Sequence, residues 1–255
     1  MKRIWMIIVA VASWMAVQAQ EIRMTDYAAL NQVYAEPVLS EKLLPFNELH
    51  IEFGYVLYEA KIKVSSDEDI LELENVRDYA AIYTDSTLQG TLTDSKKQMS
   101  LRAAPGAYTL RIYAENIGRI TYGPEILDNY KGLFGNITLG GEAIEGWTIT
   151  PLNIREADVS QLKFAIAKGV KLPGFHRGIL NVMNPKDQYL DMSGWGMGEV
   201  WINGQYIGAY WEKEKLQSIQ VVAGLLQKGK NEVVVFEMKN NDQKMIRLTE
   251  KPVFK

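Results

Sequence analysis

Four glutamates lie in or beside segments that have the pattern of strands and turns, and carboxylates are the groups that cleave glycosidic bonds. They are Glu115, Glu125, Glu199 and Glu237. Hydrolysis of a glycoside generally uses two carboxyl groups about 5 to 9.5 Å apart. Their spacing in the sequence does not prevent any two of the four carboxyl groups from lying close together in the fold. Each is more simply explained as a polar residue at a sheet edge or between domains, so we predict no self-sufficient catalytic pair.

Composition limits the histidine and cysteine chemistry. The chain has two histidines, His50 and His176, and no cysteine. A His-rich metal site and a thiolate zinc site are therefore excluded, and a Ser-His-Asp triad would have to use one of these histidines. Neither lies beside a Gly-x-Ser-x-Gly elbow. The glycines within residues 194–198 lead into a strand, whereas a phosphate loop opens a helix. We predict no metal, no cofactor and no catalytic residue.

A short stretch of the second half combines aromatic and polar side chains in the mixture that sugar sites use. An aromatic ring covers the C–H face of a pyranose, and a few fixed polar groups bind its hydroxyls. The alternative is that these aromatics fill a core or a domain interface. The carbohydrate-binding or interdomain candidates are Arg177, Asp191, Trp195, Trp201, Asn203, Tyr206, Tyr210 and Trp211.

The elements that must position these residues are β-strands. Apolar residues recur with a period near two in residues 55–58, 70–73 and 108–113, and again between Gly178 and Phe236. Such alternation is typical of antiparallel strands with one buried face. We therefore predict an all-β protein of two tandem antiparallel β-sandwich domains. The predicted boundaries are a lead-in segment at 20–45, a first domain at 46–147 and a second at 148–255.

The clearest hairpin is centred on Asn203 and Gly204, because Asn-Gly is the favoured pair for a two-residue type I′ turn. This register predicts Trp201 opposite Tyr206, on the face left for an interface or a ligand. It also predicts Val200 opposite Ile207, facing the core.

The chain also contains a weak internal repeat. Residues 83–90 superpose on residues 201–208, and residues 105–112 on 228–235, at a spacing of about 120 residues. This favours two copies of one sandwich.

The N-terminus has the pattern of an export signal. Two basic residues precede an apolar run over residues 4–17, followed by Ala19. Residues 1–19 are predicted to be a cleaved signal peptide, because the run falls short of the roughly 20 apolar residues that span a bilayer. An uncleaved anchor is the alternative. We expect a periplasmic or extracellular protein without a later membrane span, and the lack of cysteine argues against a lipid anchor.

Overall composition excludes two further classes of protein. With 47% hydrophobic and 23% charged residues, the chain is able to bury a core and is not of the disordered type. Its net charge is −3 and its lysines and arginines form no cluster, which argues against nucleic acid as a partner.

Several segments resemble glycoside hydrolase family 35 β-galactosidases. The resemblance covers about residues 37 to 240 and is carried, in the family's order, by residues 53–58, 76–80, 115–123, 131–132, 190–198, 200–204, 208–211 and 229–232. It implies the family's C-terminal jelly-roll, galactose-binding-like half. The family's catalytic (β/α)₈ barrel and its Asn-Glu-Tyr motif have no counterpart among these segments, so the resemblance supplies no catalytic residue.

The chain departs from the family pattern at three places. Ala209 stands where arginine is usual, residues 212–215 replace a Gly-Pro-Gln type sequence, and Thr121 stands where asparagine is usual. These departures fit a surface that no longer packs against a barrel.

The expected function is a non-catalytic, carbohydrate-binding accessory protein for galactose-containing glycans. Two alternatives stay open. The chain could be a detached half of a β-galactosidase whose barrel comes from a separate glycoside hydrolase chain. It could also be a structural scaffold that binds protein, which predicts that the aromatic cluster is buried between the domains.

Overall fold

The computed structural model describes residues 20–118, 123–127, 130–239 and 244–255. The predicted signal peptide and Thr121 lie outside these residues. Nineteen strands and four short 3₁₀ helices make up the described part, which contains no α-helix. The 3₁₀ helices are Leu30–Val33, Pro124–Leu127, Val159–Gln161 and Ala223–Leu225.

The first eleven strands in chain order are β1 (Gln20–Ala29), β2 (Val38–Ser40), β3 (Gly54–Val64), β4 (Ile70–Arg77), β5 (Tyr79–Thr84), β6 (Thr87–Thr93), β7 (Gln98–Ser100), β8 (Gly106–Asn116), β9 (Gly132–Leu139), β10 (Glu142–Ala143) and β11 (Trp147–Leu152). The remaining strands are β12 (Ala165–Ile166), β13 (Gly174–Val182), β14 (Gln188–Asp191), β15 (Met197–Ile202), β16 (Gln205–Trp211), β17 (Ser218–Val221), β18 (Gly229–Glu237) and β19 (Met245–Thr249).

The strands form two sandwiches. Each pair of hydrogen-bonded strands in the described part of the chain is antiparallel. In the N-terminal half, a sheet in the order β2, β11, β3, β8, β5, β6 packs on a sheet in the order β10, β9, β4, β7. In the C-terminal half, the order is β16, β15, β18, β13, β1, β19, β14, β17, and β12 pairs with β1. The predicted all-β, two-sandwich fold is confirmed.

The segment predicted to be a lead-in is part of the C-terminal sandwich. Residues 20–23 of β1 pair with β19, and residues 24–29 pair with β13 across a bulge after Met24. A bulge bends a strand, so β1 passes from one sheet layer to the other. The N-terminal sandwich ends later than predicted, because β11 extends to Leu152 and pairs with β3. Sequence periodicity does not predict either boundary, because these pairings join residues at least 89 positions apart.

A third apolar layer lies between the two sandwiches. In β3, Val56 points into the core of the N-terminal sandwich, whereas Tyr55 and Leu57 point towards the C-terminal half. Trp201 and Phe236 face them from β15 and β18. Consecutive residues of the central strands are therefore buried, and burial of a large apolar side chain contributes about 1.5 to 3 kcal/mol.

The two hairpins of the internal repeat have the same construction. Each has a bulge before an aromatic residue, so that Ile82 pairs with Gly90 and Val200 with Gly208. These glycines have nearly equal φ angles of 153° and 151°. The predicted Trp201–Tyr206 pair is confirmed, but the predicted Val200–Ile207 pair is wrong because the bulge shifts the register by one residue.

Candidate functional site

The predicted aromatic cluster is divided between several environments, because side chains alternate along β15 and β16. Trp195 and Tyr210 belong to the core of the C-terminal sandwich. The Trp195 indole Nε1 donates to the Met245 carbonyl at 3.1 Å, and the Tyr210 hydroxyl donates to the Phe236 carbonyl at 2.9 Å. Both residues are structural anchors of this sandwich.

Trp201 and Tyr206 lie on the opposite face, towards the N-terminal half. Trp201 is 2% exposed and packs edge-on against Tyr206, with ring centroids 5.7 Å apart. Tyr206 is 45% exposed at the rim of the interface. The prediction left an interface or a ligand open for this pair, and the geometry makes it an interface pair.

The three polar candidates, Arg177, Asp191 and Asn203, lie in separate places, and each already has hydrogen-bond or ion-pair partners. Arg177 Nη2 lies 2.7 Å from Asp26 Oδ2, with its guanidinium 4.3 Å from the Phe164 ring centroid. Asp191 Oδ1 accepts a 3.0 Å hydrogen bond from the Ser193 amide. These side chains are not brought together with the hairpin aromatics.

Asn203 builds the turn of its own hairpin. Its φ of 51° lies in the left-handed region, where asparagine is tolerated. Its side chain accepts from the Glu232 amide at 2.9 Å and donates to the Leu225 carbonyl at 3.1 Å. Its role is therefore to fix the hairpin against β18.

The polar centre of the interface is Glu199, one of the four glutamates predicted to lie at a sheet edge or between domains. Its side chain has no exposed area and accepts three hydrogen bonds. The donors are Tyr55 at 2.9 Å, Arg155 Nε at 2.7 Å and Tyr206 at 2.6 Å. Tyr55 belongs to the N-terminal sandwich, so this carboxylate joins the two halves. Tyr55 lies in one of the family-like segments, whereas nothing in the sequence singled out Arg155.

Glu115 of β8 lies beside this cluster. Burial, reinforced by the negative charge of Glu199, raises the pKa of Glu115 to about 8, while Tyr55 and Arg155 act in the opposite direction. Glu115 is therefore mostly neutral at pH 7. Its Oε2 atom is buried without a hydrogen-bond partner.

Glu237 lies at the end of β18 and forms a separate carboxylate site. It accepts hydrogen bonds from the amides of Gly196 at 2.8 Å, Met197 at 3.3 Å and Lys239 at 2.7 Å. Burial raises its pKa, whereas these amide hydrogen bonds lower it. These bonds give Glu237 a structural role, holding the start of β15 to the end of β18. The fourth carboxylate, Glu125, has a side chain outside the described part of the structure.

A cleft of about 370 Å³ opens between the two halves. Apolar and polar side chains both line it, which suits a ligand with one apolar and one hydroxylated face. Its lining residues are Glu115, Ile117, Arg155, Met197, Ala209, Tyr210, Trp211, Glu214, Leu216, Ser218 and Ile219. Of the eight predicted site residues, Tyr210 and Trp211 line this cleft.

Trp211 forms one wall of the cleft and is only partly buried. Its ring packs edge-on against Tyr79, with centroids 6.0 Å apart, and Lys213 Nζ lies 5.8 Å from its centroid. Its indole Nε1 is buried without a hydrogen-bond partner. The ring surface and this donor are the parts of the predicted aromatic cluster best placed for a ligand.

Burial keeps Glu115 mostly neutral, but the positions of Glu115 and Glu199 differ from those of a catalytic pair in a glycosidase. Glu199 does not line the cleft, and three donors already occupy its carboxylate. The arrangement is able to bind and orient a hydroxylated ligand. In the described part of the chain, no group of three or more acidic or histidine side chains could hold a metal ion, and no helix is long and apolar enough to cross a membrane.

Two protein-family models match this chain, and both describe domains of β-galactosidases. The model for the first all-β domain of β-galactosidase matches residues 44–153, and the model for the β-galactosidase galactose-binding domain matches residues 173–231. This chain belongs to the β-galactosidase family. The predicted resemblance to the β-sandwich domains of β-galactosidases is confirmed, and the two matches fall on the two sandwiches. The interdomain cleft thus lies between an all-β domain and a galactose-binding domain of β-galactosidase type.

Several β-galactosidases are similar in sequence. One from Xanthomonas manihotis is 34% identical over 177 residues, which cover 69% of this chain and 29% of that protein. The human β-galactosidase-1-like protein 2 is 31% identical over 213 residues, covering 79% of this chain and 33% of that protein. A β-galactosidase from Bos taurus is 30% identical over 251 residues, covering 86% and 38%. The chain thus matches about a third of the length of these relatives.

Solved structures give only a weak likeness. A lectin from Pleurotus ostreatus in complex with GalNAc aligns over 91% of this chain and 80% of that chain, with 11% identity and a TM-score of 0.28. This score is too low to support an argument about fold or ligand.

Proposed function

We propose that this protein is a non-catalytic accessory protein that binds galactose-containing glycans through the cleft between its two β-galactosidase domains. The observation that carries the proposal is the cleft itself, whose walls include the exposed part of Trp211 and the neutral carboxyl of Glu115. An aromatic ring beside fixed polar groups is the usual means of recognising a pyranose. The match to a β-galactosidase galactose-binding domain supports galactose as the sugar.

Export and family membership within glycoside hydrolase family 35 belong to the same proposal. The basic and apolar pattern of residues 1–19 supports a signal peptide, and the family-like segments support family 35. An exported accessory protein would meet glycans in the periplasm or outside the cell.

The test is a glycan-array measurement on the purified chain, followed by titration calorimetry with methyl β-galactoside and methyl β-glucoside. We expect retention of galactose-terminated glycans, with weak affinity for the isolated monosaccharide. The same sample, assayed alone with an aryl β-galactoside, is expected to show no turnover. Retention of no galactoside would contradict the proposal, and turnover by the chain alone would contradict its non-catalytic part.

A second candidate function is a detached half that completes a β-galactosidase with a catalytic barrel from another chain. Several apolar side chains are exposed near the cleft or on the Pro124–Leu127 helix, and they favour a protein partner. Phe53 is 48% exposed, Ile117 55%, Leu127 95% and Leu216 49%. Exposed apolar surface of this kind is typical of interaction sites. The test is aryl galactoside turnover by the chain with and without lysate of the source organism. Turnover that requires both components would favour this function.

A further inference from the structure

Two buried polar atoms without hydrogen-bond partners belong to residues that line the same cleft. They are Glu115 Oε2, from the N-terminal sandwich, and Trp211 Nε1, from the C-terminal sandwich. Glu115 is 2% exposed. Native proteins satisfy nearly all buried polar groups, so two unsatisfied groups at one cleft require an explanation.

The two groups are complementary to a single chemical group. An indole N–H is only a donor, whereas a protonated carboxyl is both a donor and an acceptor. A hydroxyl accepts one hydrogen bond and donates another, so one hydroxyl placed between them would satisfy both. A hydroxyl matches the two groups whichever carboxyl oxygen carries the Glu115 proton, whereas a carbonyl oxygen matches them only when Oε2 carries it.

The charges around the cleft select against an anion. Glu199 and Asp78 both raise the pKa of Glu115, so both act on it as negative charges, and Glu214 adds a carboxylate to the lining. Arg155 is already paired with Glu199 and Lys131 with Asp78, each at 2.7 Å. A carboxylate ligand would therefore lie close to the Glu214 carboxylate while Arg155 and Lys131 are already paired.

We infer that the cleft holds the ring of a neutral sugar, with one of its hydroxyls between the Glu115 carboxyl and the Trp211 indole N–H. The inference rests on the proposed glycan binding and adds to it a residue-level contact and a selectivity for neutral over acidic sugars. The apolar walls from Ile117, Met197 and Leu216 cover the C–H face of the ring. Both polar atoms are covered in the free protein, so the Trp211 side chain must shift when the sugar enters.

Titration calorimetry with methyl β-galactoside and with galacturonate tests this inference on matched variants. Trp211→Phe keeps an aromatic ring but removes the N–H, and Glu115→Leu removes the carboxyl. We expect each to weaken galactoside binding about tenfold, the effect of one lost hydrogen bond. Glu115→Gln keeps a neutral donor and acceptor, and its affinity is expected to stay within about twofold of the unmodified protein. Galacturonate is expected to bind at least about tenfold more weakly than the galactoside.

The control substitutions are at Lys186 and Arg247, which line a separate open pocket of about 990 Å³ in the C-terminal sandwich. Lys186→Gln and Arg247→Gln should leave galactoside affinity unchanged. Circular dichroism and urea unfolding of every variant establish that it is folded. Intrinsic fluorescence is expected to change on galactoside binding in the unmodified protein, and to change less in Trp211→Phe.

Three results would overturn the inference. Full affinity in folded Trp211→Phe and Glu115→Leu would do so while leaving the proposed glycan binding intact. Loss of affinity only in the Lys186 and Arg247 variants would move the sugar to the open pocket, again leaving glycan binding intact. If the unmodified protein bound no galactoside at all, the proposed function would fail together with the inference.

Discussion

The Tyr55 hydroxyl of the N-terminal sandwich donates a 2.9 Å hydrogen bond to Glu199 of the C-terminal sandwich. The same carboxylate accepts from Arg155, in the segment that joins the two sandwiches. This arrangement gives the interface a buried polar centre within a largely apolar layer. Because a buried carboxylate is costly without donors, these contacts disfavour any displacement of one half that would break them.

Glu199→Leu should destabilise the protein by about 3 kcal/mol or more, because it leaves the Tyr55 hydroxyl and the Arg155 guanidinium without their shared acceptor. Glu199→Gln keeps an acceptor and should cost less. Urea unfolding followed by fluorescence measures both. The matched control is Glu250→Gln, which removes the partner of Lys186 from an exposed ion pair and should leave the midpoint unchanged. Equal midpoints for Glu199→Leu and the unmodified protein would contradict a stabilising role.

Glu115 should make stability depend on pH. Its pKa rises from an ordinary 4.5 to about 8 in the folded protein, so the folded state holds a proton that the unfolded state releases. The associated stability is therefore complete below pH 4.5 and is lost as the pH rises to about 8. Glu115→Gln cannot titrate, so its stability relative to the unmodified protein should increase across this window. Parallel stability curves for the two proteins, measured by urea unfolding from pH 4.5 to 8, would show that Glu115 is not buried as described.

The repeated hairpin turns predict similar costs at equivalent positions. Asp85 and Asn203 have φ angles of 50° and 51°, and each accepts a 2.9 Å hydrogen bond from a backbone amide of the neighbouring strand. Alanine loses this bond and tolerates the left-handed conformation poorly, so Asp85→Ala and Asn203→Ala should each cost about 1 to 2 kcal/mol. Asn184→Ala, at an exposed loop position, is the control. A large cost at only one turn would argue against their structural equivalence.

Gly198 of β15 should not tolerate a side chain. A Cβ atom there would overlap the Phe236 carbonyl oxygen and would lie 2.8 Å from the Tyr210 hydroxyl, so Gly198→Ala must displace the pairing between β15 and β18. We expect loss of cooperative unfolding or failure to fold. The control is Gly224→Ala, where a Cβ atom meets nothing within 4 Å. Thermal unfolding of the two variants compares them directly, and a normal transition for Gly198→Ala would contradict this packing.

Short-range features of this protein follow from the sequence alone. The alternation of apolar residues sets the strands, and the Asn203 and Gly204 pair sets a hairpin turn, because both depend on residues a few positions apart. The family-like segments likewise predict the two β-galactosidase domains, which the family matches confirm. The repeat of the hairpin follows from the spacing of residue types in the two halves.

The tertiary structure alone decides what covers the second apolar face of β15. The hairpin predicts Val200 in the sandwich core and Trp201 on the opposite face, but it leaves open whether an interface or a ligand covers Trp201. The tertiary structure also decides that Glu115 and Glu199, 84 positions apart, share one buried cluster at the interface. Their burial and their hydrogen-bond donors come from other strands, and such long-range contacts leave no local pattern in the sequence.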